Sequence, residues 1–394
     1  MKKRLLTVQG PLQYLAGLIA YTHGIPAGES WDDSENVLLL YDFLAAPEIE
    51  DDIAAAVRQL SAGKAWSRVV YITQAEMEAF ARRRHGRNVR DLQLRLGSDR
   101  FNEIYLARDQ IGLGSPLLMD TYSGAIKRAY GDSLGLVGQS AESNVFRSST
   151  RPRWVERSRA IAKRLLLGVP RKVGFDEAVL TLPMDLSGRF FDHTALVVPP
   201  REHVVACVEA LSSSLLPLDA YCAQLCAQGT PLGDRLYLLS NLAASGLSTP
   251  EQEIDFYVEV IESSSPSGST TYIKPHPRST YQSLKAIEHR LRGRHRMIVI
   301  DDERFARMPI ELWFRLIRHC EVVPMFSTSA INLKYLYGKA VDMPLNEHRL
   351  ARYIKSERID YMRDSDRLIR KCIDNLDHWD RSSALWSGPA SAST

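Results

Sequence analysis

The sequence carries almost no net charge. Its 50 Lys and Arg against 47 Asp and Glu leave +3 over 394 residues. A chain so balanced is neither a polybasic nucleic-acid binder nor a hyperacidic solvated chain as a whole, and no nucleic-acid partner is expected. Cysteine is scarce: Cys207, Cys222, Cys226, Cys320 and Cys372, an odd and scattered set with no Cys-x-x-Cys pair. That excludes a disulfide framework. Cys222 and Cys226, four apart, share a helical face and read as small core residues. No run of about 18 apolar residues occurs. The basic start Met1–Arg4 leads into Leu5, Leu6 and Val8, but Gln9, Gly10, Pro11 and Gln13 interrupt it before a signal-peptide core forms. A cytoplasmic chain is expected, with peripheral contact at the inner membrane left open. Also missing are Gly-x-x-x-x-Gly-Lys-Ser/Thr, a helix-opening Gly-x-Gly-x-x-Gly and His-Glu-x-x-His. Their absence argues against P-loop hydrolysis, dinucleotide oxidoreduction and zinc proteolysis.

What is present is a core-forming chain, 45% hydrophobic and 25% charged. At about 150 residues per domain, its length suggests two or three domains. Short apolar runs at 4–8, 37–41, 68–72 and 103–107 read as buried strands, with helical stretches near 12–21, 50–61 and 74–84. Further strands are expected at 125–130, 178–182 and 195–198. The second half repeats the alternation: strands 236–239, 271–275, 297–300 and 322–326 lead to helices 250–262, 280–292, 310–318 and 329–337. Near-continuous apolar strands alternating with helices predict parallel sheets covered on both faces. Two such arrays predict two Rossmann-like domains facing a cleft, with functional residues just after the strands. The divisions expected are 1–200, 201–385 and a disordered Ser/Ala/Gly/Pro tail at 386–394. Between Arg147 and Lys172 lie nine basic residues and one acid, Glu156. There Trp154, Ile161 and Leu165 fall at helical spacing. The pattern suits an amphipathic helix on an anionic membrane, but reads somewhat better as a solvated helix packed on its own domain.

Three motifs fall at predicted strand ends. In Lys274-Pro275-His276-Pro277 the prolines stiffen the backbone around His276. An imidazole so held can donate to a phosphate, with Lys274 and Arg278 adding positive charge. A strand end punctuated by prolines around a satisfied histidine has the same sequence. Ser327-Thr328-Ser329, between a strand and a helix, can cap that helix or hold a phosphate, and three hydroxyls exceed the needs of capping. Tyr130-Gly131-Asp132-Ser133-Leu134-Gly135 makes a tight turn. It can present Asp132 as a general base, or be an ordinary Asp-Ser turn. Asp301-Asp302-Glu303 can hold a divalent ion but reads better as a solvated acidic loop.

Taken together these pieces resemble the bacterial sialyltransferase and alpha-2,8-polysialyltransferase-like group over roughly 1–345. Val8-Gln9-Gly10-Pro11-Leu12-Gln13 looks like that group's first strand and turn, which makes Gly10, Pro11 and Gln13 an acceptor-side or structural loop. The Gly131-Asp132-Ser133 turn falls where the family carries two acids and a glycine. Lys274–Pro277 looks like its His-Pro motif, and Ser327–Ser329 like its Ser/Thr phosphate motif. The resemblance implies a GT-B architecture and an inverting, metal-independent transfer without a cofactor. The donor would be a CMP-activated sialic acid or related 2-keto sugar acid, used as a co-substrate. The acceptor would be a capsule or lipopolysaccharide glycan. It assigns the base to Asp132, the only acid in its turn, since Gly131 stands where an acid is usual. The phosphate contacts go to His276 and Ser327–Ser329, with Lys274 and Pro277 on the donor side. Lys-Pro-His-Pro also resembles the capsule Kdo transferases and the CDP-alditol phosphotransferases. A non-catalytic glycan- or nucleotide-binding relative is the remaining alternative, supported by Gly131.

Overall fold

The computed structural model describes residues 1–41, 43, 47–82, 86–107, 114–131, 175–181, 195–229, 233–266, 268–277, 279 and 281–382. Asp132, the basic segment 147–172, Arg278 and the tail 386–394 lie outside the described residues. The chain forms two compact units, Met1–Cys207 and Val208–Thr394.

In the first unit β1 (Lys2–Val8), α1 (Pro11–His23), β2 (Ser34–Leu40), α2 (Pro47–Ser61), β3 (Arg68–Tyr71), α3 (Gln74–Arg82) and α4 (Gly86–Leu96) follow in order. Then come β4 (Glu103–Ala107), α5 (Gly114–Thr121), β5 (Ile126–Gly131), β6 (Glu177–Leu180) and β7 (Ala195–Val197). The seven strands form one parallel sheet in the order β3-β2-β1-β4-β5-β6-β7. Leu5 faces Val37 on one side and Ile104 on the other. Leu5 also joins Leu39, Val70, Ile104, Leu106 and Leu117 in a single core. Runs buried on both sides have no polar face to alternate with, which is why these strands read as nearly continuous apolar stretches. The edge strand β3 exposes Arg68 and Val69. A charge there discourages pairing with another chain.

Gly10 turns the chain from β1 into α1. Its φ of +154° and ψ of 172° belong to a region that only glycine occupies freely. A Cβ there would stand 2.8 Å from Gln13 Oε1. Pro11 follows at the first helical position, where its missing N–H costs nothing.

α6 (Arg201–Ser214) carries the boundary between the units. The second unit continues with α7 (Leu216–Ala227), β8 (Arg235–Leu238), α8 (Pro250–Ser264), β9 (Thr270–Lys274), α9 (Tyr281–Leu291) and β10 (Arg296–Val299). It ends with α10 (Phe314–His319), β11 (Glu321–Pro324), α11 (Ser329–Tyr337), α12 (Glu347–Tyr353) and α13 (Ile359–Ser382). Its four strands are parallel, ordered β10-β9-β8-β11. α8 starts on a capping box in which Thr249 and Gln252 bond each other's backbone N–H groups, with Pro250 in the first turn. Tyr237, Ile273 and Val323 pack against Phe256, Ile261, Ile287 and Tyr353.

One predicted helix is broken. The stretch 310–318 is a 3-10 turn, Ile310–Leu312, followed by α10. Trp313 between them takes φ −91° and ψ 46°, outside the helical range, and its ring is wholly buried. Packing that large ring outweighs the continuity of the helix. Among the described residues no single helix is long and apolar enough to cross a membrane.

Candidate active site

The sheet of the second unit directs the site. The chain runs from β8 outward through β9 and β10, then returns to place β11 on the other flank of β8. The strand order therefore reverses between β8 and β11, and ligands of open α/β sheets bind beyond the carboxyl ends at such a point. Three loops leave that edge. Leu239-Ser240 follows β8, Pro275-His276-Pro277 follows β9, and Met325–Ser329 follows β11. The sequence motifs after β9 and β11 are thus brought to one sheet edge, with β8 between them. At a strand spacing of about 4.8 Å, β9 and β11 are about 10 Å apart.

His276 is half-buried, and its carbonyl accepts the Ser279 N–H at 2.8 Å. Lys274 faces the other way in its chemistry. Its side chain is buried, and Nζ donates to the Ala306 carbonyl at 2.8 Å and lies 5.2 Å from the Trp313 ring centre. Burial pushes its ammonium down to about 7, opposed by the nearby Glu311 carboxylate and the Cys222 thiol. Its amine is therefore held within the unit beneath the loop, where burial disfavours its charge. Pro277 is half-buried, and its carbonyl accepts from Arg307 Nη1.

The loop after β11 is strained. Phe326 has a φ of +76°, the only positive φ outside glycine among the described residues. For a bulky side chain such a backbone costs of order 1–3 kcal/mol and persists only where its surroundings impose it. Ser240 is one source of that imposition. Its Oγ donates to the Met325 carbonyl at 2.7 Å and lies 3.1 Å from Tyr257 Oη. Tyr257 Oη in turn donates to Glu253 Oε1 at 2.7 Å, and the same oxygen accepts the Leu242 N–H at 2.6 Å. This buried chain ties the loop after β8 to the loop after β11. Beyond Phe326, Ser327 Oγ accepts the Ser329 N–H at 3.2 Å. Thr328 stands at the N-cap of α11, yet its hydroxyl makes no cap bond. Among the described residues no acceptor faces the N–H of Ser327 or Thr328. Two backbone donors and the half-buried hydroxyls of Thr328 and Ser329 are thus left for an outside acceptor, an arrangement suited to an anion.

In the first unit Gly10, Pro11 and Gln13 lie at the carboxyl end of β1, which β2 and β4 flank on opposite sides, the corresponding reversal point. Gly131 is the last residue of β5 and is buried, and its carbonyl accepts from Thr181 Oγ1 at 3.4 Å. Asp132 follows it, outside the described residues. In the acidic stretch 301–303, Arg304 holds the Asp302 carboxyl below the usual carboxylate range. No metal-binding cluster of His, Cys, Asp or Glu occurs among the described residues.

With this geometry in view, comparison with known proteins gives one family. Residues 226–341 match the family model of the alpha-2,8-polysialyltransferases (POLYST). The match covers less than a third of the chain, but it contains all four strands of the second sheet, His276 and Ser327–Ser329. No curated protein is a significant match to the sequence. Among solved structures, the UDP-GlcNAc 2-epimerase from Neisseria meningitidis bound to UDP-GlcNAc is similar at 10% identity and a TM-score of 0.50. That alignment covers 97% of this chain and 94% of the epimerase. The UDP-GlcNAc 2-epimerase from Methanocaldococcus jannaschii is similar at 11% identity and a TM-score of 0.43, over 96% of this chain and 100% of that one. At 10% identity the Neisseria likeness speaks to fold alone: α/β, GT-B-like, with two parallel sheets.

Sequence reasoning missed Ser240, Glu253, Tyr257 and Glu311, and it gave Phe326, which opens the motif at 326–329, no role of its own. A signal existed for Glu311, a lone acid inside the apolar run Met308–Phe314. Glu253 and Tyr257 stand four apart, on one face of α8. Nothing local announces the φ of Phe326.

Proposed function

We propose that the chain is an inverting glycosyltransferase of the sialyltransferase type. It moves a sialic acid or related 2-keto sugar acid from a CMP-sugar to a hydroxyl of a bacterial surface glycan. The observation that carries this reading is the placement of His276 and Ser327–Ser329 at one carboxyl edge of a sheet inside the polysialyltransferase match. Displacement occurs at C2 of the sugar. Asp132 takes the acceptor proton, and the bond from C2 to the CMP phosphate oxygen breaks as the new glycosidic bond forms. His276 donates to the departing phosphate, which the N–H groups and hydroxyls of the Ser327–Ser329 turn also receive. Lys274 acts from beneath that loop, and Pro277 shapes it. The reading requires no metal. Work at the inner face of an anionic membrane fits the basic segment 147–172.

The test is incubation with CMP-sialic acid and a glycan acceptor, followed by mass spectrometry. The expected result is free CMP and a sialylated product, both lost in Asp132→Asn. A phosphodiester-linked product instead would mean attack at phosphorus, the alditol-phosphotransferase chemistry. CMP binding without turnover of any CMP-sugar would mean a binding protein.

A further inference from the structure

Between β10 and α10 the segment Ala306–Trp313 touches the His-Pro loop and the helix α11 that follows the Ser327–Ser329 turn. To the His-Pro loop it offers the Ala306 carbonyl, which accepts from Lys274 Nζ at 2.8 Å, and Arg307, which donates to the Pro277 carbonyl. The Trp313 ring lies 5.2 Å from the same ammonium. To α11, the helix that Ser327–Ser329 open, it offers Glu311. Glu311 Oε1 accepts from Asn332 Nδ2 at 2.5 Å, and the Glu311 backbone carbonyl accepts from Tyr337 Oη. Glu311 is 1% exposed and Lys274 4%. Two groups that water would solvate strongly are buried instead, each bonded to a different element of the site. A core needing only to be filled would hold apolar residues here at less cost.

We propose that Lys274 and Glu311 are positioning residues, which through the Ala306–Trp313 segment fix the register of the His276 loop against the Ser327–Ser329 turn before a donor binds. This rests on the reading above for the identity of the donor, but the positioning itself is a property of the protein alone. Neither residue touches the reacting atoms. Their effect is transmitted through the backbone at Pro275–Pro277 and through the start of α11. Because transfer depends on near-attack geometry, a shift of about 1 Å between the two loops is enough to lower the rate by about 100-fold.

Three variants test it: Lys274→Met, Glu311→Gln, and the two combined. Each is followed by melting temperature, by CMP affinity in calorimetry, and by the NMR resonances of the His276 ring. Each single variant is expected to lower the melting temperature, and Glu311→Gln most, since it leaves a buried ammonium uncompensated. The double variant carries no unpaired buried charge and is expected to regain most of that stability. It is nonetheless expected to bind CMP about tenfold more weakly than wild type and to keep displaced His276 resonances, because the bond from residue 274 to Ala306 is still missing. Recovery of both wild-type CMP affinity and wild-type His276 resonances in the double variant would overturn the proposal and reduce the pair to packing. If wild type binds no CMP, the functional reading fails separately. The His276 resonances then decide the matter alone: displaced in the double variant they support positioning, and unchanged they overturn it.

Discussion

Arg4, Glu103, Arg128 and Glu177 of the first unit lie toward the amino ends of their strands, whereas Ser240, Glu253, Lys274 and Glu311 of the second serve loops that leave the carboxyl ends. In the first set the groups satisfy one another. Arg4 Nε reaches Glu103 at 3.0 Å, Arg128 bonds both Glu103 and Glu177, and Tyr105 Oη accepts from both arginines. The second unit has a side-chain pair at its own amino edge as well, and there the carboxylate also holds strand backbone. There Asp234, just before β8, accepts the Thr270 N–H at 2.8 Å and pairs with His319 at 3.0 Å. At its carboxyl edge the pattern changes. Buried polar side chains bond loop backbones: Ser240 to the Met325 carbonyl, Lys274 to the Ala306 carbonyl, Glu253 to the Leu242 N–H. A parallel sheet sends every strand's carboxyl end to one edge, so only polar groups buried there have ligand-facing loops to hold. On the proposed reading, where a buried charge sits along the strand separates a folding role from a functional one.

The comparison breaks most visibly at Glu103. Glu103→Ala leaves the buried Arg4 guanidinium without a carboxylate and Arg128 with Glu177 alone, and a loss of about 3–5 kcal/mol is expected in denaturant unfolding. CMP affinity of the remaining folded protein should be unchanged; a parallel loss of affinity would blur the two edges. Glu253→Gln in α8 is expected to be milder, about 1–3 kcal/mol, because the amide oxygen still accepts from Leu242 or Tyr257. Here CMP affinity should fall about tenfold, since the Ser240 tie to Met325 loosens. Titration of CMP by calorimetry separates the outcomes.

Much of this architecture was legible from one sequence. The strand runs were, because burial on both faces leaves nothing but apolar residues in them. The position of His276 and Ser327–Ser329 just beyond two parallel strands was, because the apolar runs that precede them mark where those strands end. The break at Trp313 was not, since the run Met308–Phe314 has the composition of a buried helix and only the packing of one ring decides otherwise. Nor were the partners of Glu253 and Glu311. Glu253 reaches Tyr257 within its helix, but its hold on Leu242 is tertiary, as is the bond from Glu311 to Asn332, 21 residues away.

Phe326→Gly sharpens the comparison at smaller scale. Relief of the positive φ and loss of a partly buried ring act in opposite directions. The net change in stability is expected to stay within about 1 kcal/mol, well below an ordinary Phe truncation of about 3–5 kcal/mol. CMP affinity should weaken severalfold as the Ser327 and Thr328 N–H groups lose their fixed aim. A loss of stability as large as for a core Phe, with affinity intact, would mean that the strain serves no site.

The last expectation is a direction with pH. Lys274 ionises near 7 in the folded protein and near 10.4 when unfolded. Between those values the unfolded chain holds a proton that the folded one lacks, so folding gains stability as pH rises through that window. Lys274→Met lacks this gain. Its melting temperature relative to wild type should therefore decline steadily from pH 7 to about pH 10. A constant difference would place the ammonium in water.

The central claim is that the carboxyl edge of the second sheet holds the phosphate of a CMP-sugar. Calorimetric titration of CMP into wild type and into His276→Ala addresses it most directly. The account predicts saturable one-to-one binding to wild type, weakened at least about tenfold in the variant with no change in melting temperature. Equal affinity in the two proteins would contradict it.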